Sequence, residues 1–244
     1  MFKSLQSPAI VVAIAAASIG GVALARVAPT VAAALADPAR ADQAGDDARR
    51  QAGEVVTFSG VKPGWQVVDF VPGSGYWTRI FTGAVGPQGH VYALYPQWSA
   101  KYLGDNLTNL QGRNLANVTA TLEQDDLIDV PAGSIDLVWT VQNYHDIPQA
   151  EMKDFNASVF KALKKGGIYM VIDHADADFR GSADTNTLHR IDPIFAKNQI
   201  MGAGFQFVGE SKVLRNPKDD HTLKVFDPAI RGHTDQFVYK FRKP

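Results

Sequence analysis

The stretch Asp69–Tyr76, with the sequence DFVPGSGY, is the feature that most constrains how this chain folds. It follows Trp65–Val68, an apolar run that predicts a buried strand, and it precedes Trp77–Val85, which predicts a helix. A strand that passes through a glycine turn into the N-terminus of a helix forms a binding site for a small polar ligand. We therefore expect an α/β sheet that binds a ligand at the end of this strand.

Asp69 and the glycine spacing indicate which ligand the turn binds. The turn of a dinucleotide-binding fold contacts a pyrophosphate, which a carboxylate at the strand end would repel. Gly73 and Gly75 are followed by Thr78, at the position where the pyrophosphate fingerprint has its third glycine. A carboxylate beside a glycine turn suits a ligand with an ammonium or sulfonium charge. The alternative role for Asp69 is to cap the turn.

Apolar runs recur from about Val55 onward and predict the strands of one sheet. Most are continuously apolar, as expected for strands buried on both faces, and the gaps between the first five are long enough for crossover helices. Gln149–Leu163 has an apolar stripe at helical spacing, and Asp192-Pro193 predicts the start of another helix. The pattern indicates one doubly wound α/β domain. The predicted strands are Gln66–Phe70, His90–Tyr95, Val118–Leu122, Ile135–Thr140, Gly167–Ile172, Phe205–Gly209 and Gln236–Phe241.

The N-terminus has the pattern of a secretory signal peptide. Lys3 precedes Pro8–Ala25, a run without charged residues, and small residues stand before two candidate cleavage sites. Cleavage after Ala36 is the preferred prediction, and cleavage after Ala25 is the alternative. An uncleaved membrane anchor is the other interpretation of this segment. The preferred pattern predicts an exported, periplasmic protein with no stable membrane insertion after cleavage.

Composition limits the remaining classes of protein. A chain of 244 residues, 45% of them hydrophobic, is long enough for one sizeable domain. The formal net charge of −1 gives no electrostatic reason to expect a nucleic-acid partner. The chain has no cysteine, which excludes disulfides, a thiolate zinc site, a cysteine nucleophile and a cysteine-linked lipid. The predicted divisions are a signal peptide over 1–36, a helix or tether over 37–54 and a folded domain over 55–244.

Polar and ionisable side chains follow the ends of the predicted strands. Ligands of doubly wound sheets bind outside the carboxyl ends of the strands. We therefore expect the functional site at this edge of the sheet. The segments concerned are Asp69–Gly75, Tyr95-Pro96, Gln124–Asp126, Gln142–Asp146 and Asp173-His174.

The same segments resemble the motifs of class I S-adenosylmethionine-dependent methyltransferases, in order and spacing, from about Val55 to Phe241. The resemblance implies a Rossmann-like fold with about seven strands, mostly parallel with an antiparallel last strand, and S-adenosylmethionine as cofactor. Asn143–Asp146, taken with Asp173-His174 and later motifs, is similar to a bacterial group of predicted, often exported methyltransferases. The motifs that carry the resemblance are Val67–Tyr76, Val91–Pro96, Asp125-Asp126, Ile135–Val138, Asn143–Asp146, Leu163–Gly167 and Ala203–Phe205.

The resemblance implies a role for each of these positions. The glycine turn would hold the methionine portion of the cofactor. An acidic residue after the third strand would bind the adenine amino group, and residues at the end of the fourth strand would contact the flank of the cofactor. The predicted cofactor-binding residues are Asp69, Gly73, Gly75, Tyr95, Asp125, Asp126, Gln142 and Asn143.

Two positions depart from the family pattern. Val71 stands where such loops have their first glycine, so the backbone is expected to approach a ligand less closely there. Tyr95 stands where an Asp or Glu accepts hydrogen bonds from both ribose hydroxyls, and a phenol lacks the two acceptor oxygens of a carboxylate. Both substitutions predict weakened or altered cofactor binding.

His145 is the predicted catalytic residue, with Tyr144 or Asp146 beside it. An imidazole just past the fourth strand has a pKa suited to removing a proton from a nucleophile. The alternative is that His145 packs over the cofactor without taking a proton.

A metal site at the same edge is another interpretation of these residues. Asp173, His174 and Asp176 lie close in sequence, His145 is expected nearby, and histidine with carboxylates suits a divalent ion. Strand alternation points Asp173 and His174 to opposite sides. The prediction is therefore that the chain binds no metal.

These patterns predict methyl transfer from S-adenosylmethionine to an O, N or S nucleophile of a small molecule. The main rival is a non-catalytic or altered-ligand binding protein that retains the fold, which Val71, Tyr95 and export all favour. A third hypothesis is an enzyme of different chemistry in the same pocket.

Overall fold

The computed structural model describes residues 27–244. Seven strands form one sheet in the order β3-β2-β1-β4-β5-β7-β6. The first five strands are mutually parallel, and β7 runs antiparallel to both β5 and β6. This confirms the predicted mostly parallel sheet with its antiparallel last strand. The strands are β1 Gln66–Phe70, β2 His90–Tyr95, β3 Val118–Leu122, β4 Ile135–Val141, β5 Leu163–His174, β6 Gln206–Ser211 and β7 Gln236–Arg242.

Helices cover both faces of the sheet, and their bounds are close to those predicted. The segment predicted as a helix over Gln149–Leu163 is shorter, because the chain becomes extended at Leu163 and enters β5 directly. Asp192 begins the last helix, as predicted, by accepting hydrogen bonds from the backbone N–H groups of Ile194 and Phe195. The helices are α1 Pro29–Leu35, α2 Ala52–Ser59, α3 Tyr76–Val85, α4 Asn106–Gly112, α5 Met152–Ala162 and α6 Pro193–Gly202.

Each central strand contributes side chains to a core on both faces. In β4, Val138 packs in the core beneath α5 and α6, whereas Leu137 and Trp139 pack in the core beneath α2 and α3. Successive side chains of a strand point to opposite faces, so a strand buried on both sides is continuously apolar. The apolar runs in the sequence therefore identified the strands correctly.

Helix α1 is part of the folded domain. Its Val31 and Ala34 are buried against α3, where Gly83 allows Ala34 to approach closely. The backbone N–H of Ala28 donates to Thr57 Oγ1 at 3.0 Å. Cleavage after Ala36 would remove this helix from the core, whereas cleavage after Ala25 would leave it in place.

The predicted apolar segment Pro8–Ala25 lies outside the described residues. Within 27–244, no helix has the length and apolar character needed to cross a bilayer.

The segment predicted as a helix or tether over 37–54 folds as short 3-10 turns that lead into α2. Arg40 is buried and pairs with Asp47 at 2.8 Å. Arg79 of α3 pairs with Asp42, also at 2.8 Å. The first pair lies within the segment, and the second attaches the segment to α3.

Candidate functional site

A cavity of about 870 Å³ opens at the carboxyl ends of β1, β2, β4 and β5. Strands β2 and β4 lie on either side of β1, so the strand order reverses between β1 and β4. Doubly wound sheets bind their ligands at this point of reversal. The site therefore lies at the predicted edge. The lining includes Val71, Gly73, Tyr95, Trp98, Tyr102, Gln142, Asn143, His145, Asp146, His174, His189 and Phe226.

The glycine turn forms one wall of this cavity. Gly73 has φ +55° and no atom lies within 4 Å of the position that a Cβ would occupy, so its backbone faces open space. Gly75 begins α3 at φ +78°, and a Cβ there would be 2.8 Å from Leu110. Gly73 is thus placed to approach a ligand, whereas Gly75 is favoured by its left-handed backbone conformation.

Val71 adopts a backbone conformation that normally belongs to glycine. Its φ is +56°, in the left-handed region that β-branched residues rarely occupy. The strain is maintained by its surroundings: the Val71 N–H donates to the Leu94 carbonyl, and its side chain packs against the core. The valine therefore follows the glycine path of the turn at an energetic cost.

Asp69 lies beneath the turn and does not line the cavity. Its side chain is buried and accepts a 2.6 Å hydrogen bond from Thr78 Oγ1. Burial raises the pKa of Asp69 to about 7, against the opposing effect of the hydrogen bonds from Thr78. A nearby cation would favour its ionised form.

Tyr95 and the acidic pair after β3 have structural contacts in this loop region. The Tyr95 hydroxyl donates to the Gly73 carbonyl at 2.8 Å and so links the end of β2 to the turn. Asp126 accepts from the backbone N–H of Trp98 and Asp125 from that of Leu127. Tyr95 lines the cavity, but the two carboxylates shape the loops around it.

Gln142 and Asn143 line the cavity at the end of β4, as predicted. The Asn143 side chain donates to the Val141 carbonyl at 2.6 Å, and the Gln142 side chain donates to Gln236 at 3.1 Å. Gln142 has φ +59°, a second strained non-glycine residue beside the cavity. Tyr144 does not line it: its hydroxyl is buried in the core and accepts from Asn156.

His145 is held by a buried carboxylate. Its Nδ1 lies 2.8 Å from Asp173 Oδ1, and its backbone N–H donates to Asp173 Oδ2 at 2.8 Å. Burial alone would lower the pKa of His145, but the charges of Asp173 and Asp146 outweigh it and raise the pKa. Burial opposes the ionisation of Asp173, yet the charge of His145 lowers its pKa overall. This pair was not predicted from the sequence.

Asp146 and His189 complete a cluster around His145. Asp146 Oδ1 lies 3.3 Å from His145 Nε2 and 3.6 Å from His189 Nδ1. His189 comes from the connection between β5 and α6, a region to which the sequence assigned no site residue. Its position beside His145 could not be inferred from the sequence, because the path of this connection depends on long-range packing.

A buried ion pair fixes the loops that carry His189 and Phe226. Arg190 and Asp219 are fully buried, with Nη1 and Oδ2 2.9 Å apart. Arg190 also donates to the carbonyls of Ala175 and Leu223. The guanidinium therefore joins the end of β5 to two long connections, the one between β5 and α6 and the one between β6 and β7. These two connections form the outer wall of the cavity.

Comparisons with known proteins agree with this geometry. No family model matches the chain. The chain is 27% identical over 176 residues to the ubiquinone/menaquinone biosynthesis C-methyltransferase UbiE of Hydrogenovibrio crunogenus, a match that covers 69% of this chain and 66% of the relative's length.

Two solved structures show the same fold. An S-adenosylmethionine-dependent methyltransferase from Aquifex aeolicus has a TM-score of 0.56 at 16% identity, over 78% of this chain and 88% of that one. Another from Mesorhizobium loti has a TM-score of 0.57 at 14% identity, over 78% and 95%.

The sheet order defines a Rossmann-like domain, and the cavity lies at its switch point, where such domains bind their ligands. The chain has the class I S-adenosylmethionine-dependent methyltransferase fold, and the predicted resemblance to that family is confirmed. The predicted enzyme class and cofactor agree with these relatives.

Proposed function

We propose that this protein transfers a methyl group from S-adenosylmethionine to a nucleophile on a small molecule. One observation carries the proposal: a single cavity joins the glycine turn to the His145 cluster. The cofactor supplies an activated methyl group, and the cavity volume lies within the range of small-molecule sites. The name of the UbiE relative, a quinone-biosynthesis enzyme, supports a small-molecule acceptor.

The residues at the turn fit the cofactor in part. Gly73 offers an open backbone position, and Asp69 is buried near the turn, where a bound cation would favour its ionised form. Val71 and Tyr95 depart from the family pattern, and Tyr95 already uses its hydroxyl on Gly73. We expect binding with an altered ribose contact rather than the usual bidentate one.

The His145 cluster would orient the acceptor and receive its proton. Asp173 fixes the ring through Nδ1, so that Nε2 is directed to Asp146 at the cavity surface. An imidazole held in this way is a positioned proton acceptor in its neutral form. The loops around Arg190 enclose the cavity and would accelerate methyl transfer mainly by holding the reactants in place.

Titration calorimetry with S-adenosylmethionine and S-adenosylhomocysteine tests the proposal. We expect the parent to bind both, and Asp69→Asn and Gly73→Leu each to abolish binding. Gly133→Leu is a matched control, because Gly133 has φ +66° and open space but precedes β4 at the opposite edge. Binding by either site variant at the parent's affinity would overturn the site assignment.

The alternative is a binding protein that has the fold without the activity. Val71 and the hydrogen bond from Tyr95 to Gly73 are the observations that favour it. Absence of binding to either compound at about millimolar concentration would mean a binding free energy weaker than about 4 kcal/mol. That result would favour the binding protein over the methyltransferase.

We also propose that the protein is exported after signal-peptide cleavage. The packing of α1 supports cleavage after Ala25, because cleavage after Ala36 would remove Val31 and Ala34 from the core. Mass spectrometry of the fractionated protein tests this. An intact Met1 start in the membrane fraction would instead support an anchor.

A further inference from the structure

We propose that His145, Asp146 and His189 bind one divalent transition-metal ion at the surface of the cavity. Each residue offers one ligand atom, and these atoms all lie within 4.8 Å of one another. The three side chains line the same cavity as the glycine turn. The site prediction from the sequence, which excluded a metal, did not include His189.

The distances within the cluster suit a shared ion better than direct hydrogen bonds. Asp146 Oδ1 is 3.3 Å from His145 Nε2 and 3.6 Å from His189 Nδ1. Both separations exceed the usual range for N–H···O bonds. Ligands about 2.0–2.2 Å from a tetrahedral zinc ion stand roughly 3.3–3.5 Å apart. One ion can therefore contact all three groups after small side-chain movements.

Asp173 orients His145 as a metal ligand. Metal-binding histidines generally donate their second ring N–H to a carboxylate or carbonyl, which fixes the ring and its tautomer. Here Nδ1 lies 2.8 Å from Asp173, which leaves the Nε2 lone pair free to face Asp146. Asp173 is itself fixed, since it accepts from the backbone N–H groups of His145 and His174.

His189 is held in place by its surroundings. Its ring lies edge-on to His145, with centroids 5.4 Å apart, and packs on Phe226 at 4.9 Å. Its backbone is strained, with φ +56°, and the neighbouring Arg190 is anchored by the buried pair with Asp219. Strain of this kind concentrates at functional sites, where surrounding contacts maintain it.

The ligand set indicates the class of ion. Two imidazoles and one carboxylate favour zinc, iron, cobalt or nickel, whereas magnesium prefers oxygen ligands alone. Three protein ligands leave at least one coordination position open, as in catalytic sites. That position faces the cavity.

The role of the ion rests on the proposed function. A bound ion would hold an acceptor hydroxyl and favour its ionised form, with the proton released to water. The oxygen would then take the methyl group, and S-adenosylhomocysteine would leave. His145 would act as a ligand in this state rather than as the proton acceptor, and the acceptor class would be a hydroxyl compound.

Metal titration of the chelator-treated protein, without any cofactor, tests the site. We expect about one equivalent of Co²⁺ to bind and the bound ion to show visible absorption bands. Addition of Zn²⁺ should displace the Co²⁺ and remove these bands. His189→Gln and Asp146→Asn should weaken binding at least tenfold, and Asp173→Asn by about 10–100-fold. His90→Gln is the control, because His90 binds Thr119 on β3, outside the cavity.

The result that overturns the proposal is absence of Co²⁺ and Zn²⁺ binding at about 1 mM, or site variants that bind as the parent does. Binding of Mg²⁺ in preference to Zn²⁺ would also overturn it. Cofactor binding is measured separately in the presence of a chelator. Metal binding without cofactor binding would leave the site standing and refute the methyltransferase, and the reverse result would refute only the site.

Discussion

The backbone of Val71 is strained, whereas a glycine at the same position would not be. The left-handed conformation costs an L-residue about 1–2 kcal/mol, which exceeds the entropy that glycine loses on folding. An alanine is usually more stabilising than a glycine at a given position. The φ of +56° at Val71 predicts the opposite order of stability here.

We expect Val71→Gly to be more stable than Val71→Ala by about 1 kcal/mol in urea unfolding, because only glycine relieves the strain. The same pair of changes at Val118, in the ordinary strand β3, is the control and should show the usual order. An alanine variant at least as stable as the glycine variant would contradict the strain.

Asp69 predicts a pH-dependent stability. Its folded-state pKa is raised to about 7 from 3.8, so the folded protein favours the protonated carboxyl. This contribution to stability is complete below about pH 3.8 and is lost as the pH rises through about 7. Above that pH the fold contains a buried charge.

We expect the unfolding free energy of the parent, minus that of Asp69→Asn, to fall by up to about 4 kcal/mol between pH 4 and pH 8. Urea unfolding of both proteins across this range measures the difference. A constant difference would show that Asp69 does not titrate, and a rising one would place its pKa below the ordinary value.

At the scale of elements, α1 links the N-terminal segment to the core. Close approach depends on small residues: a Cβ on Gly83 would be 2.8 Å from the Ala34 side chain, and one on Gly53 would be 2.8 Å from Val27. The contact is therefore specific packing, and its loss exposes apolar surface on α3.

We expect a chain that starts at Asp37 to be less stable than one that starts at Arg26 by several kcal/mol. Burial of Val31 alone contributes about 1.5–3 kcal/mol. Urea midpoints of the two chains measure the effect, with Val31→Ala in the longer chain as an intermediate case. Equal midpoints would mean that α1 does not stabilise the domain.

At the scale of the whole molecule, the outer wall of the cavity depends on one buried ion pair. Arg190 has no solvent contact, pairs with Asp219 and donates to the carbonyls of Leu223 and of Ala175 at the end of β5. Removing one member of such a pair leaves a buried charge without a partner.

Asp219→Ala should therefore cost about 3–5 kcal/mol of unfolding free energy. Arg180→Ala breaks the more exposed pair with Asp184 in the same connection and should cost less than about 1 kcal/mol. Thermal or urea unfolding compares the two. Similar costs for both variants would show that the buried pair is not the anchor of the wall.

Local sequence patterns were sufficient to predict the strands, the glycine turn and the edge of the sheet that carries the site. These follow from local patterns, because residues buried on both faces of a strand must be apolar and a strand–turn–helix connection needs glycine. Gln142, Asn143, His145 and Asp146 were placed at the cavity for the same reason.

Which side chains contact one another in the site depends on the three-dimensional packing of the chain. Asp173 reaches His145 from the adjacent strand, and His189 arrives from a loop whose path depends on the buried Arg190. Tyr144, next to His145 in sequence, turns into the core. Side-chain direction and loop path depend on long-range packing and on paired buried charges, which no local pattern records.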